Sequence, residues 1–219
     1  MTFQLVFVGF YLQFIFDLNS PLVTGAWILI MIAVADVSIA RGSGLRLKRL
    51  AGGLFVALIT GTVVPLVFFV FFVLQVQTTL HAQYVIPISG MILGNCLRAD
   101  IIGIRTFYES LKKSEKVYQL SLAQAAGMRE ALNPFIRDAC QAALAPTVAT
   151  ISTIGLVSLP GMMTGVILGG GNPITAIKYQ IAIMIAIFTG TALTVILGIH
   201  LTMIKNFTPF GTLDRKLFP

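Results

Sequence analysis

Long apolar stretches separated by short polar connections dominate the pattern of this chain. Six stretches approach the roughly 20 residues that an α-helix needs to cross a bilayer: residues 2–17, 22–40, 54–76, 84–104, 146–168 and 176–204. The second, third and sixth are the clearest, whereas the first is short and the fourth and fifth contain proline, glycine or charge. The pattern predicts an all-α transmembrane helix bundle of about six spans, forming one domain over residues 1–219.

The basic residues orient the predicted spans. Of the 15 lysines and arginines, four lie in residues 41–49, seven in residues 98–137 and three in residues 205–216. Only Lys178 falls on the other side, near a span end. Because basic residues concentrate on the cytoplasmic side, we expect a multi-pass protein of the cell (inner) membrane, with Met1 and the C-terminus both cytoplasmic.

Composition supports a lipid environment and argues against a nucleic-acid partner. Hydrophobic residues make up 57% of the chain and charged residues 11%, whereas an ordinary soluble domain has roughly 25% charged residues. The net charge of +7 is distributed between apolar blocks and forms no basic face interleaved with aromatic residues. The expected surroundings are therefore the bilayer.

Motifs for catalysis, cofactors or metals are missing from the pattern. His81 and His200 lie far apart, and Cys96 and Cys140 are not spaced as C-x-x-C. The sequence contains no G-x-x-x-x-G-K-[ST] loop for nucleotide phosphates. We therefore predict no catalytic residue, cofactor or metal site on this chain, which disfavours a self-contained enzyme.

Two carboxylates within or beside the predicted spans have two interpretations. Asp36 precedes Arg41 by about a turn, and Asp100 lies beside Arg98. Pairing at the membrane surface is the simpler interpretation. The other is a functional role, because ionisable groups inside a membrane are rare and mark ion or substrate pathways.

Small residues recur at four-residue spacing in the last two predicted spans. Such stripes allow helices to approach closely in lipid, so they predict packing faces at Gly161, Gly165 and Gly169, and at Ala182, Ala186, Gly190, Thr194 and Gly198.

Proline and glycine also interrupt the fifth predicted span. A proline inside a helix removes one backbone hydrogen bond, and freed backbone groups persist at membrane depth only where protein or a polar cavity covers them. Pro160, Gly161 and Gly165 are therefore candidate hinge residues of a broken helix. A plain kinked span is the alternative.

Several runs of residues carry a resemblance to a known family. Residues 85–95 read VIPISGMILGN, residues 136–138 read IRD, residues 142–144 read AAL, and Pro146 precedes Thr147. Residues 155–165 read GLVSLPGMMTG, and residues 176–180 read AIKYQ. These runs closely resemble the bacterial iron-export ABC permease family, to which plant aluminium-sensitivity permeases are similar. The likeness extends from Thr2 to about Ile204.

The resemblance implies a function as well as a fold. It implies a permease that forms a homodimer, binds a separate ATP-binding subunit, and exports iron or another metal. Members of the family carry an additional N-terminal span and a basic linker before the segment that begins here near Thr2. The resemblance therefore implies seven crossings where this sequence predicts six.

The polar segment of residues 105–143 is the expected contact with that ATP-binding subunit. A coupling helix of such permeases fits a groove on the ATPase, and residues 120–138 are its expected counterpart. The family pattern has an acid where this chain has Gln124, and a solvated helical face is the alternative. The resemblance assigns the coupling to Ala125, Ala126, Gly127, Arg129, Arg137 and Asp138.

Candidate pathway residues lie on the interrupted helices. They are Met91, Asn95, Met162, Met163 and Thr164, with ordinary core packing as the alternative. Because methionine is a poor match for ferrous iron, a metal chelate or an organic cargo stays open. A passive channel or secondary transporter, and a scaffold subunit without transport, are the rival functions.

Overall fold

The chain forms a bundle of helices. The computed structural model describes residues 2–73, 81–124, 127–157, 159–208 and 212–213. Regular structure in those ranges is helical, which confirms the predicted fold class. The helices are α1 (Thr2–Leu18), α2 (Pro21–Gly42), α3 (Leu47–Phe68), α4 (Ala82–Lys113), α5 (Glu115–Ala123), α6 (Met128–Thr153), α7 (Gly161–Leu168) and α8 (Pro173–Asn206), and one π-helical turn, Phe69–Val73, continues α3.

In the part of the chain that the structure describes, four helices are long and apolar enough to cross a membrane. They are α2, α3 with its π-helical turn, α4 and α8, with 22, 24, 32 and 34 residues in their apolar segments. These helices correspond to the second, third, fourth and sixth predicted spans. The first predicted span, α1, has 17 residues and packs at the edge of the bundle, where Ile15 meets Ala82 and Ile86 at the start of α4.

The fifth predicted span, residues 146–168, is divided between two helices, which agrees with the broken-helix interpretation and not with a plain kinked span. Helix α6 begins already at Met128 and contains both Pro134 and Pro146. It ends at Thr153, and the backbone turns at Gly155, whose φ of 84° favours glycine. Pro160 then precedes the short helix α7. The helix break therefore lies between Thr153 and Gly161. Of the candidate hinge residues, Pro160 precedes α7, Gly161 begins it and Gly165 lies within it.

The polar residues at the start of α6 are helical because the other face of that helix is buried. Ala131, Leu132, Ala139 and Ala143 are buried on α6, and a methyl group placed on Gly103 of α4 would lie 3.2 Å from Ala143 Cβ. Helix α6 is thus amphipathic, and its apolar face packs on α4.

Helix α8 lies at the centre of the bundle and contacts α3, α4, α6 and α7. The predicted small-residue stripe is a packing face on α8, where Ala186, Gly190, Thr194 and Gly198 are buried. The stripe on α7 differs, because methyl groups placed on Gly161 or Gly165 would meet nothing within 4 Å.

Neighbouring helices fix the direction of the long elements. Gly90 of α4 lies near Met31 of α2, and Gly42 at the end of α2 lies against Ile101 of α4. Helices α2 and α4 therefore run parallel. At the end of the bundle where α2 stops, α4 continues from Ile101 to Lys113, a further rise of about 18 Å at 1.5 Å per residue. We call this the basic end of the bundle, because Arg41, Arg105 and Lys112 lie there.

Candidate transport pathway and coupling surface

Two of the candidate pathway residues line one cavity. Met91 of α4 and Met162 of α7 border a cavity of about 480 Å³, which Tyr84 and Tyr179 also line. Pro87 of α4 lies in the same wall. The fold brings these residues together because α7 packs against α8, whose Tyr179 lines the same cavity as Met162 and the residues of α4. The cavity is mainly apolar, with two tyrosines among its lining residues.

Asn95 lies in a second, smaller cavity of about 90 Å³. Arg98 of α4 and Thr147 and Thr150 of α6 line it as well. Asn95 Nδ2 donates a hydrogen bond of 2.8 Å to the carbonyl of Met91, one helical turn earlier. The two cavities therefore lie at successive turns of α4, and the second is the more polar because a guanidinium, an amide and two hydroxyl groups meet there.

Met163 and Thr164 line neither of these two cavities. Both side chains are half-buried in α7, and Thr164 Oγ1 donates a hydrogen bond of 3.0 Å to the carbonyl of Pro160. The same carbonyl also accepts the backbone N–H of Thr164 at 3.0 Å, so the hydroxyl group adds a second bond at the start of α7. Thr164 thus has a structural contact in this conformation, and Met163 is a natural comparison for Met162.

The pathway prediction omitted Arg98, Tyr179 and the α6 threonines. In the sequence, Arg98 was counted among the basic residues that orient the spans and was considered as a partner for Asp100. Thr147 and Thr150 are three residues apart, which places them on one face of a helix. That spacing was the available signal, but its use required knowing that α6 continues through Pro146.

Asp100 lies inside the bundle, so its predicted pairing with Arg98 at the surface was wrong. Its side chain has 0% exposure, and neither carboxylate oxygen has a hydrogen-bond partner of ordinary geometry among the described residues. Arg98 is exposed and its Nε faces the carbonyl of Gly94 at 3.4 Å. Residues two apart on a helix point in different directions, which explains the separation. Asp100 instead lies beside Cys96 and Thr194.

Asp36 is likewise buried, at 6% exposure, and its Oδ1 has no hydrogen-bond partner within the described ranges. Arg41 is exposed at the end of the same helix. Both intramembrane carboxylates therefore belong to the interior of the bundle. Intramembrane acids of this kind are functional candidates by default.

Helix α5 forms part of an exposed surface at the basic end. Tyr118 anchors this helix, because it is buried at 2% exposure and its ring packs edge-on against Phe207, with 6.3 Å between centroids. Burial raises the pKa of the Tyr118 hydroxyl group. Val117 and Leu120 of the same helix are exposed by 61% and 59%.

The predicted coupling residues that the structure describes are exposed on the neighbouring helix. Gly127 is the N-cap of α6, and Arg129, Arg137 and Asp138 project from its polar face. Arg129 and Arg137 are eight residues apart, which places them on one side of a helix. Ala125 and Ala126 lie outside the described residues. We call the exposed side chains of Val117, Leu120, Arg129, Arg137 and Asp138 the coupling surface.

A metal site of the ordinary kind is not found in the described ranges, where no three His, Cys, Asp or Glu side chains come together. The candidate pathway residues border two cavities, one lined by methionine and tyrosine and one containing Arg98.

This architecture is that of a multi-pass helical membrane protein. The chain belongs to the uncharacterised protein family UPF0014, whose model matches residues 1–207. It is 33% identical over 204 residues to the probable iron export permease protein FetB of Escherichia coli (strain K12), covering 93% of this chain and 77% of that one. The resemblance to iron-export permeases is therefore confirmed.

Plant members of the family are similar over nearly the whole chain. The UPF0014 membrane protein STAR2 of Oryza sativa subsp. japonica is 32% identical over 222 residues, covering 98% of this chain and 74% of that protein. The protein ALUMINUM SENSITIVE 3 of Arabidopsis thaliana is 30% identical over 222 residues, covering 98% and 77%. No solved structure matches the chain.

Proposed function

We propose that this chain is the membrane-spanning permease subunit of an ABC transporter that exports iron or another metal. ATP hydrolysis then occurs on a separate ATP-binding subunit. The observation that carries the proposal is the coupling surface, together with the likeness to a probable iron export permease. Two exposed apolar side chains on α5 and three exposed charged side chains on α6 lie on helices that contact each other, at the end where α4 extends past α2.

The composition of the coupling surface supports a protein contact. Exposed apolar anchors such as Val117 and Leu120 provide the buried centre that protein interfaces need, and charged groups at the rim provide orientation. Tyr118 holds α5 on the bundle, and α6 continues from this surface to the second cavity, which Thr147 and Thr150 line. Movement of the coupling surface is thus transmitted along one helix to the candidate pathway.

The proposed mechanism requires two copies of the permease and two ATP-binding subunits. ATP binding draws the two coupling surfaces together, tilts α6 and the helices packed on it, and switches a central cavity between inward and outward access. Hydrolysis resets the arrangement. In this mechanism α6 moves relative to α7 at the break between Thr153 and Gly161.

The lining of the cavities bears on the cargo. Met91 and Met162 are soft ligands and suit ferrous iron poorly, and the charged side chain in the second cavity is the cation Arg98. These residues favour iron or another metal carried with ligands of its own over a bare cation.

An ATP-independent secondary transporter is the second candidate. The observation that favours it is the pair of buried carboxylates at Asp36 and Asp100, since intramembrane acids occur in ion-coupled transporters. Transport by the purified chain without any ATPase would select this candidate.

Purification of the complex from native membranes tests the proposal. We expect the chain to bring down a protein with a phosphate-binding loop, identified by mass spectrometry, together with ATP hydrolysis. Reversal of charge in Arg129→Glu with Arg137→Glu should reduce both, because the two arginines lie on the coupling surface. Lys178→Glu, at the opposite end of the bundle, is the matched control. Equal recovery of the ATPase from all variants would contradict the assignment of the coupling surface.

A further inference from the structure

A cavity of about 420 Å³ lies at the basic end, between the turn from α2 to α3 and the extension of α4. Arg41 borders it from the end of α2, and Arg105 and Lys112 border it from α4. Glu109 also lines the cavity, so that three cations and one carboxylate give a formal charge of +2. The cavity is separate from the candidate pathway and from the coupling surface.

The position of this cavity relative to the bilayer follows from the helices beside it. Helix α2 is an apolar helix of 22 residues that ends where Gly42 meets Ile101 of α4. Arg41 therefore lies where the hydrocarbon region ends, and α4 continues past it into the polar phase. The cavity occupies the corner between them, which is the depth of the lipid headgroups.

Side chains supply the hydrogen-bond donors that face the cavity, because the backbone N–H groups of the turn from α2 to α3 bond to carbonyl groups of α2. The backbone N–H of Ser43 donates to the carbonyl of Ile39 at 2.8 Å, and that of Leu45 donates to Ala40 at 3.4 Å. Arg105 Nε donates to Glu109 at 2.7 Å, which orients the guanidinium. A guanidinium carries four further N–H donors, and its planar fork suits phosphate oxygens.

An apolar stripe leads from the bilayer to Arg41. Ile30 and Val34 of α2 are exposed by 52% and 62%, and they precede Arg41 by 11 and seven residues, which places all three on one face of the helix. An acyl chain can lie along this stripe while its phosphate reaches the arginine. Inorganic phosphate has no acyl chain that could contact this stripe.

We propose that this cavity binds the headgroup of an anionic phospholipid, with the phosphate between Arg41 and Arg105. Basic pockets between membrane helices at the cytoplasmic surface suit such headgroups, and each basic side chain near the surface contributes about 1 kcal/mol. Two arginines together correspond to about a 30-fold difference in affinity. The bound lipid would hold the turn from α2 to α3 against α4.

Lipid retention by the purified protein tests this proposal directly. Native mass spectrometry in detergent counts the phosphatidylglycerol or cardiolipin molecules bound to the full chain. A thermal-shift titration with short-chain phosphatidylglycerol, short-chain phosphatidylcholine or inorganic phosphate gives the headgroup preference. The test variant is Arg41→Gln with Arg105→Gln. The control is Lys116→Gln, a change of an exposed lysine on α5 that lies outside the cavity.

We expect phosphatidylglycerol to stabilise the unaltered protein and the control, with phosphatidylcholine and inorganic phosphate inactive at the same concentration. The double variant should need about 30-fold more phosphatidylglycerol for the same shift and should lose the retained lipid. Equal lipid retention by the double variant and the control would overturn the site. Equal stabilisation by inorganic phosphate would assign the cavity to a soluble anion and overturn the lipid assignment.

Discussion

Gly61 of α3 and Gly190 of α8 lie face to face, each against the carbonyl oxygen of the other. A methyl group placed on Gly190 would lie 2.6 Å from the Gly61 oxygen, and one placed on Gly61 would lie 2.8 Å from the Gly190 oxygen. Backbones approach this closely only where both side chains are absent. This contact positions α8, which in turn packs against α4 and α7 around the first cavity.

The substitution Gly190→Ala should therefore destabilise the bundle. The added methyl group forces α3 and α8 apart, and overpacking of this kind costs about 1–3 kcal/mol. Gly25→Ala is the matched control, because a methyl group on Gly25 of α2 meets nothing within 4 Å. Thermal unfolding in detergent should show a lower midpoint for Gly190→Ala alone. Equal midpoints for the two variants would disprove the close packing of α3 on α8.

Asp100→Asn should leave the stability unchanged or raise it by about 1 kcal/mol. The side chain of Asp100 is fully buried, and neither of its oxygens has a hydrogen-bond partner of ordinary geometry among the described residues. Because a polar group buried without such a partner costs free energy, little stability is lost when asparagine replaces it. Asparagine keeps the shape, and its amide group can bond to the neighbouring Thr194 hydroxyl. Asp138→Asn, on the exposed face of α6, serves as the control. A large loss of stability in Asp100→Asn would mean that the carboxylate has a partner in the folded protein.

Met91→Ala together with Met162→Ala should lower transport roughly tenfold, the equivalent of about 1.4 kcal/mol. Both side chains line the first cavity, and truncation removes contacts with the cargo on two sides. Met163→Ala is the comparison, since Met163 lies on the same short helix outside that cavity. Iron flux should be measured at equal amounts of folded protein. If the double variant transports at the rate of Met163→Ala, the first cavity is not part of the pathway.

Leu120→Asp should weaken the binding of the ATP-binding subunit about tenfold, because a charge then replaces an apolar anchor at the centre of the proposed contact. Gln119→Asp adds the same charge at the neighbouring exposed position and should have little effect. The affinity can be measured by titrating the ATP-binding subunit against the purified permease. A similar loss in both variants would indicate a general effect of charge and remove Leu120 from the contact.

The sequence predicted the long helices because their signal is local. Length and hydropathy alone identify α2, α3, α4 and α8, and the four-residue spacing of small residues identifies the buried face of α8. Length and hydropathy did not predict where the helices begin and end in residues 146–168. Pro134 and Pro146 favour helix ends in a sequence, yet both lie inside α6, while the helix actually ends before Gly155 with its positive φ.

Only part of the candidate site was predictable, because local sequence signals identify some of its residues and tertiary packing determines the others. Met91 and Met162 were singled out because proline and glycine interrupt the sequence of their predicted spans, and they do line one cavity. Asn95 lies in another cavity because its surroundings depend on the register of α6, which tertiary packing sets. The burial of Asp100 depends on which faces of α4 and α8 meet, and the sequence does not show this. Arg98, only two residues away in the sequence, was therefore taken wrongly as its partner.

Iron transport by the reconstituted protein tests the central claim most directly. The permease, alone or with its ATP-binding subunit, should be placed in liposomes, and the accumulation of chelated ferrous iron measured with ATP, without ATP, and with a nonhydrolysable analogue. The account predicts accumulation only when both subunits and hydrolysable ATP are present. Equal accumulation by the permease alone in the absence of ATP would contradict it.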